Sequence, residues 1–147
     1  MKELYFTIGL EYEEVLALPI GGSIIYNMGQ LFDIFPESIG PHGYNKIDLL
    51  TKFFNQKSDS TKGIIIQGGF ENKNDYQKFK ESINQPINKV YIKYSNTVDE
   101  YKGEWEKLSN WVDTVETYIS REQSWNKEIK ELVKVLAADG VEVEFIE

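Results

Sequence analysis

His42 is the one side chain in this sequence suited to proton transfer near neutral pH, and it stands in a loop, Ser38-Ile39-Gly40-Pro41-His42-Gly43. A single imidazole with no cysteine cannot assemble a typical zinc site, and no Gly-x-Ser-x-Gly elbow accompanies it for serine chemistry. The absence of cysteine also removes disulfides, iron–sulfur clusters and thiol nucleophiles. Arg121 is the lone arginine beside fifteen lysines, so the usual bidentate clamp for phosphate or carboxylate is nearly missing. This inventory argues against an enzyme and calls for no metal and no cofactor.

Two glycine pairs offer the next chemistry. Gly68-Gly69 follows an apolar run and precedes a helical pattern, the place where α/β proteins seat phosphate on helix N–H groups. Neither the Gly-x-Gly-x-x-Gly fingerprint nor the P-loop lysine is present, and a strand-to-helix turn needs glycine for its backbone alone. Gly21, Gly22, His42, Gly68 and Gly69 therefore form the alternative reading, a small-molecule or nucleotide site at Gly-rich turns.

Carboxylates and aromatic rings are better supplied. Glu11, Glu13 and Glu14 crowd the end of the first strand pattern, where they read as a solvated acidic loop. Net charge is −8, with −5 in each terminal third and +2 in the middle fifty residues. Such a chain repels phosphate backbones, attracts a basic partner protein and gains solubility from the same charge. All three tryptophans fall between Trp105 and Trp125, and Trp111 and Tyr118 share one edge of a helical pattern. Tryptophan and tyrosine are common interface anchors, although a wide apolar stripe can equally serve to pack a helix onto a sheet.

The elements that must position these residues follow from periodicity. Leu4, Phe6, Ile8 and Leu10 alternate as a strand over 3–9. Glu11 to Leu18 fits a short helix ended by Pro19. Ser23 then caps a helix towards Phe35, with a hairpin through Ile20, Ile24, Ile25 and Tyr26 as the alternative. Asn45 caps a helix striped by Ile47, Leu50, Phe53 and Phe54. Gly63 to Gln67 reads as a strand buried on both faces, 74–83 as a helix and Val90 to Tyr94 as a strand, which makes a βαβ unit.

Val98, Tyr101, Trp105, Leu108, Val112, Val115 and Ile119 then hold an a/d seam on a helix roughly 33 Å long, a candidate homodimer surface. The seam fails at Glu122 and restarts in a new phase at Trp125, which predicts a second helix capped by Ser120 or Ser124 and ended by Gly140. Val141, Val143 and Phe145 alternate with Glu142 and Glu144 as a charged edge strand. The sum is a single α/β domain over 1–147, with a mainly parallel sheet of about four strands, flanking helices and a long C-terminal helical hairpin.

Two stretches are similar to barstar, a ribonuclease-inhibitor family. Gly43-Tyr44-Asn45-Lys46-Ile47-Asp48-Leu49-Leu50 resembles its loop-to-helix segment, and Leu132 to Ile146 resembles its C-terminal helix and last strand. The spacing from Asn45 to Asp48 is one residue longer than the family's, and Lys52 and Val135 stand where acids would be wanted. The resemblance implies an acidic inhibitor with Tyr44 and Asp48 in contact with its target. The expected partner-binding set is therefore Tyr44, Asp48, Trp111, Tyr118, Glu11, Glu13 and Glu14. The expected role is that of a non-catalytic inhibitor or immunity protein with a basic protein partner. No nucleic acid and no membrane enter this reading. No basic, apolar leader opens the chain and no apolar run approaches the roughly 20 residues of a membrane span, so the expected compartment is the cytoplasm.

Overall fold

The computed structural model describes residues 3–20, 23–36, 39–40, 43–56, 63–83, 85–96 and 112–147. Five strands form one wholly parallel sheet in the order β2 (Ile24–Asn27), β5 (Ile64–Gln67), β1 (Leu4–Ile8), β6 (Lys89–Ile92), β7 (Glu142–Phe145). A two-residue antiparallel ribbon, β3 (Ile39–Gly40) with β4 (Gly43–Tyr44), lies within the segment expected to be loop. The helices are α1 (Tyr12–Leu16), α2 (Met28–Ile34), α3 (Lys46–Gln56), α4 (Lys73–Ser82) and α5 (Val112–Ala138).

Alternation along each strand divides the sheet into two unlike faces. Leu4, Phe6, Ile8, Ile64, Ile66, Val90 and Ile92 point to one side. They meet Leu31 and Phe35 from α2 and its end, Leu49, Leu50 and Phe53 from α3, Tyr76 and Phe79 from α4, and Ile129, Leu132 and Leu136 from α5. Aromatic rings knit this layer: Phe6 lies 4.6 Å from Phe70 and 5.2 Å from Phe79, and Tyr26 meets Phe53 at 4.8 Å. On the opposite face, among the described residues, Leu10, Val15, Ile65 and Tyr91 form a second, smaller buried cluster at α1 and the chain that follows it.

Two expectations change. The fifth strand is β2, where a helix capped by Ser23 was expected. Ile24, Ile25 and Tyr26 extend against β5, and the helix starts later, with Asn27 accepting from the Gln30 N–H at 2.9 Å and Gln30 Oε1 accepting from the Asn27 N–H at 2.9 Å. The C-terminal hairpin is not formed at Glu122, because α5 runs unbroken from Val112 to Ala138. Its apolar phase changes there for another reason. Glu122 accepts from Ser95 Oγ at 2.7 Å, and Asn126 bonds the Ser95 backbone in both directions, so this turn of the helix holds the exit of β6. Most of the predicted 98–119 helix, with its dimer seam, lies outside the described residues. No helix among the described residues is long and apolar enough to cross a membrane.

Candidate functional site

The acidic stretch after β1 forms the short helix expected within Glu11 to Leu18, so its carboxylates do not lie on a loop. Glu11 precedes α1, its N–H donates to Glu14 Oε1 at 3.1 Å, and Val15 turns inward while Glu11, Tyr12, Glu13 and Leu16 face outward. The three carboxylates differ in role. Glu14 Oε2 accepts from Lys93 Nζ at 2.8 Å, and that bond, with the one from the Glu11 N–H, holds its carboxyl below the usual range. Lys93 sits just past β6, so Glu14 anchors α1 to the sheet. Glu11 and Glu13 stay exposed, and between them and beyond stand Tyr12 and Leu16, 53 % and 57 % exposed. An aromatic ring and an aliphatic chain at i and i+4, flanked by carboxylates on a helix fixed by an ion pair, form a compact surface for contact.

The ends of β1 and β5, where the chain leaves to opposite faces, are the place an α/β sheet usually gives to a ligand. Here Gln67, Gly9 and Gly69 are packed closely against other parts of the protein. Gln67 Nε2 donates to the Leu10 carbonyl at 3.0 Å and ties the two strand exits together. Gly9, at φ 79°, passes so close to the chain just past β6 that a Cβ would collide with the Lys93 carbonyl oxygen. Gly69 is pressed against Phe6, since a Cβ there would stand 2.6 Å from its ring. Gly68 needs its positive φ of 76° and has open space beside it. Gly21, Gly22 and His42 lie outside the described residues, so of the glycine set the structure places only the 68–69 turn.

On the helix side, Asn45 Oδ1 accepts from the N–H groups of Ile47 and Asp48 at 3.0 and 3.1 Å and starts α3. Asp48 is exposed and bridges Lys52 at 3.2 Å. It borders an open polar groove of about 660 Å³ between α3 and α4, which Thr51, Asp75, Lys78 and Glu81 also line. Charges of both signs face each other across it. The backbone of Tyr44 pairs with Ile39 in the short ribbon. Tyr118 is 48 % exposed on α5, beyond the part of that helix that enters the core, and Trp111 is outside the described residues. The seven expected contact residues are thus not brought to one place: Glu11, Glu13 and Glu14 belong to the thin face of the sheet, and Asp48 and Tyr118 to the helix layer.

Sequence reasoning missed Tyr12, Leu16, Lys93 and Gln67. The first two carried a signal, an apolar i, i+4 pair on a five-residue helix whose inward residue is Val15. Lys93 and Gln67 carried none, because their partners are 79 and 57 residues away. Among the described residues no group of three or more His, Cys, Asp or Glu is placed to hold a metal ion. No family model matches the chain, and no curated protein matches it.

Proposed function

We propose that this chain is an acidic, non-catalytic binding protein that acts in the cytoplasm by neutralising a partner protein with a basic patch. Immunity proteins for toxins and phage-type inhibitors of defence proteins are the class it fits. The observation that supports this reading is the surface of α1, where Tyr12 stands out between Glu11 and Glu13, Leu16 stands out one turn further on, and Glu14 is held by Lys93. The net charge of −8 would speed encounter with a basic surface, and the two apolar side chains would slow release once desolvated.

The test is affinity capture from the source cell at moderate salt, run in parallel with wild-type protein and a Tyr12→Ala/Leu16→Ala/Glu13→Lys variant. The expected result is a basic protein bound by the first and lost by the second. Recovery of nothing, or equal recovery by both, overturns the assignment of α1 as the contact surface.

A further inference from the structure

The open edge of the sheet at β7 belongs to none of the surfaces above, and its two sides make a specific demand on whatever lies along it. We infer that β7 receives an extended segment of a partner chain as an added parallel or antiparallel strand, and that this segment alternates basic and apolar residues. The inference rests on the reading of the chain as a binding protein but uses a different surface from α1.

Among the described residues no strand pairs with the outer side of β7. Ile146 N–H donates to the Ile92 carbonyl at 2.8 Å, so alternate residues Glu142, Glu144 and Ile146 turn their amides towards β6. By the alternation of a strand, Val143 and Phe145 turn N–H and C=O to the open edge. The two sides of that edge differ. On the thin face, Glu142 and Glu144 share a single ammonium, Lys89 Nζ, at 3.4 and 3.6 Å, which leaves net negative charge along the strand. On the helix side, Phe145 is 46 % exposed and stacks on Tyr94 with ring centroids 5.4 Å apart and planes at 14°. A strand laid against β7 would set every second side chain beside carboxylates and the others beside the aromatic pair.

The same charges select against a second copy of this chain. Antiparallel pairing of two β7 strands about Val143 would set Glu142 of one against Glu144 of the other, and like charges directly opposite are destabilising. Glutamates on an edge are a common guard against self-association. Phe145 is not part of such a guard, because it adds exposed apolar surface at the very edge the glutamates protect. Carboxylates on one side with an exposed ring on the other suit a basic, alternating partner, the strand-addition mode of peptide recognition.

The probe is an end-blocked heptapeptide, Thr-Lys-Val-Lys-Phe-Lys-Thr, titrated into the full chain by calorimetry and by amide NMR. The expected result is saturable binding with shifts centred on the Val143 and Phe145 amides. Affinity should fall by at least about tenfold, a difference of about 1.4 kcal/mol, for the Glu142→Lys/Glu144→Lys protein, for a peptide with the lysines in one block, and for a peptide N-methylated on the edge-facing amides. Val143→Pro should also weaken binding, since it removes an outward N–H that β6 does not use. No binding by the alternating peptide, or equal binding by the blocked or N-methylated peptide, overturns the proposal. The Tyr12→Ala/Leu16→Ala protein should bind the peptide like wild type. If the partner captured through α1 binds the Glu142→Lys/Glu144→Lys protein unchanged, the edge proposal fails while the α1 reading stands.

Discussion

The two faces of the sheet are built on different principles. Among the described residues, nineteen buried side chains form the cluster on the helix face and four form the cluster on the other. The helix face is apolar, aromatic and covered by four helices. Among the described residues the thin face carries one five-residue helix, with Lys89, Lys93, Glu142 and Glu144 set among its apolar residues. Thr7, which alternates with Phe6 and Ile8 and so lies on the thin face, is buried, and its hydroxyl has no hydrogen-bond partner among the described residues. One face specifies the fold, and the other holds enough apolar surface to seat α1 while leaving charged groups in reach of solvent.

Large-to-small substitutions break this comparison most directly. Phe79→Ala should cost about 3–5 kcal/mol, because the ring is fully buried and touches Phe6, Phe54 and Phe70. Val15→Ala on the thin face should cost about 1.5–2.5 kcal/mol, as two methyl groups leave a smaller cluster that can settle onto the space. Urea unfolding of both variants measures the ratio. Equal losses would mean that the thin face is as much a core as the helix face. Gly69→Ala sharpens the point at a site with no side chain of its own: the Phe6 ring 2.6 Å from the new Cβ must move, and the cost should be about 1–3 kcal/mol.

The helix face was legible in the sequence because its signals are repeated. The Ile64-Ile65-Ile66 run declares a strand covered on both sides, and all three residues are buried. Glu142 and Glu144 declare an edge, and β7 is one. β2 was harder to read because Gly21-Gly22-Ser23 mimics a turn and cap, and the true cap, Asn27, comes four residues later behind a β-forming run. The false break at Glu122 has a similar origin. A shift of apolar phase was read as an end of the helix, yet the backbone ladder is indifferent to which side chains face the core, and here they turned to hold Ser95. At the candidate site, acidic character was legible and pairing was not. Which of three glutamates is tied down depends on Lys93, and only the fold brings that residue to α1.

Acid sharpens the comparison next, because each layer holds a carboxyl that its partners keep below the usual range. Glu14 is lowered first by its hydrogen bond from Lys93, then by the Glu11 N–H. Asp139 is lowered by Lys80 Nζ at 2.9 Å, then by the Tyr76 hydroxyl at 2.7 Å. A carboxyl with a lower pKa in the folded state stabilises the protein above its unfolded value, about 3.9 for Asp and 4.3 for Glu, and loses that contribution as pH falls through the folded value. Stability measured from pH 7 to pH 3 should therefore fall, and Glu14→Gln and Asp139→Asn should each flatten part of that acid limb. Both pairs reach solvent, so each variant should lose little stability at pH 7, and added salt should narrow the difference. Hydrogen exchange separates the layers: Glu14→Gln should speed exchange at the Val15 amide, which bonds the Glu11 carbonyl at 3.0 Å, and leave the Tyr76 amide unchanged.

The smallest effect on stability should come with the largest effect on binding. Tyr12 and Leu16 are more than half exposed, so Tyr12→Ala and Leu16→Ala should change unfolding free energy by no more than about 0.5 kcal/mol each. At an interface the same two side chains would be desolvated at the centre of an acidic rim, and such anchors typically cost about 2 kcal/mol or more in binding when truncated. The pair of measurements separates a contact surface from a solvated helix. Glu13→Lys should act differently from both: it reverses charge beside the anchors, so it should slow association and lose its effect at high salt, whereas Leu16→Ala should speed dissociation at any salt. If all three variants bound the captured partner with wild-type kinetics, α1 would be no more than a cover for Ile65 and Tyr91. The thin face would then owe its charge to solubility alone.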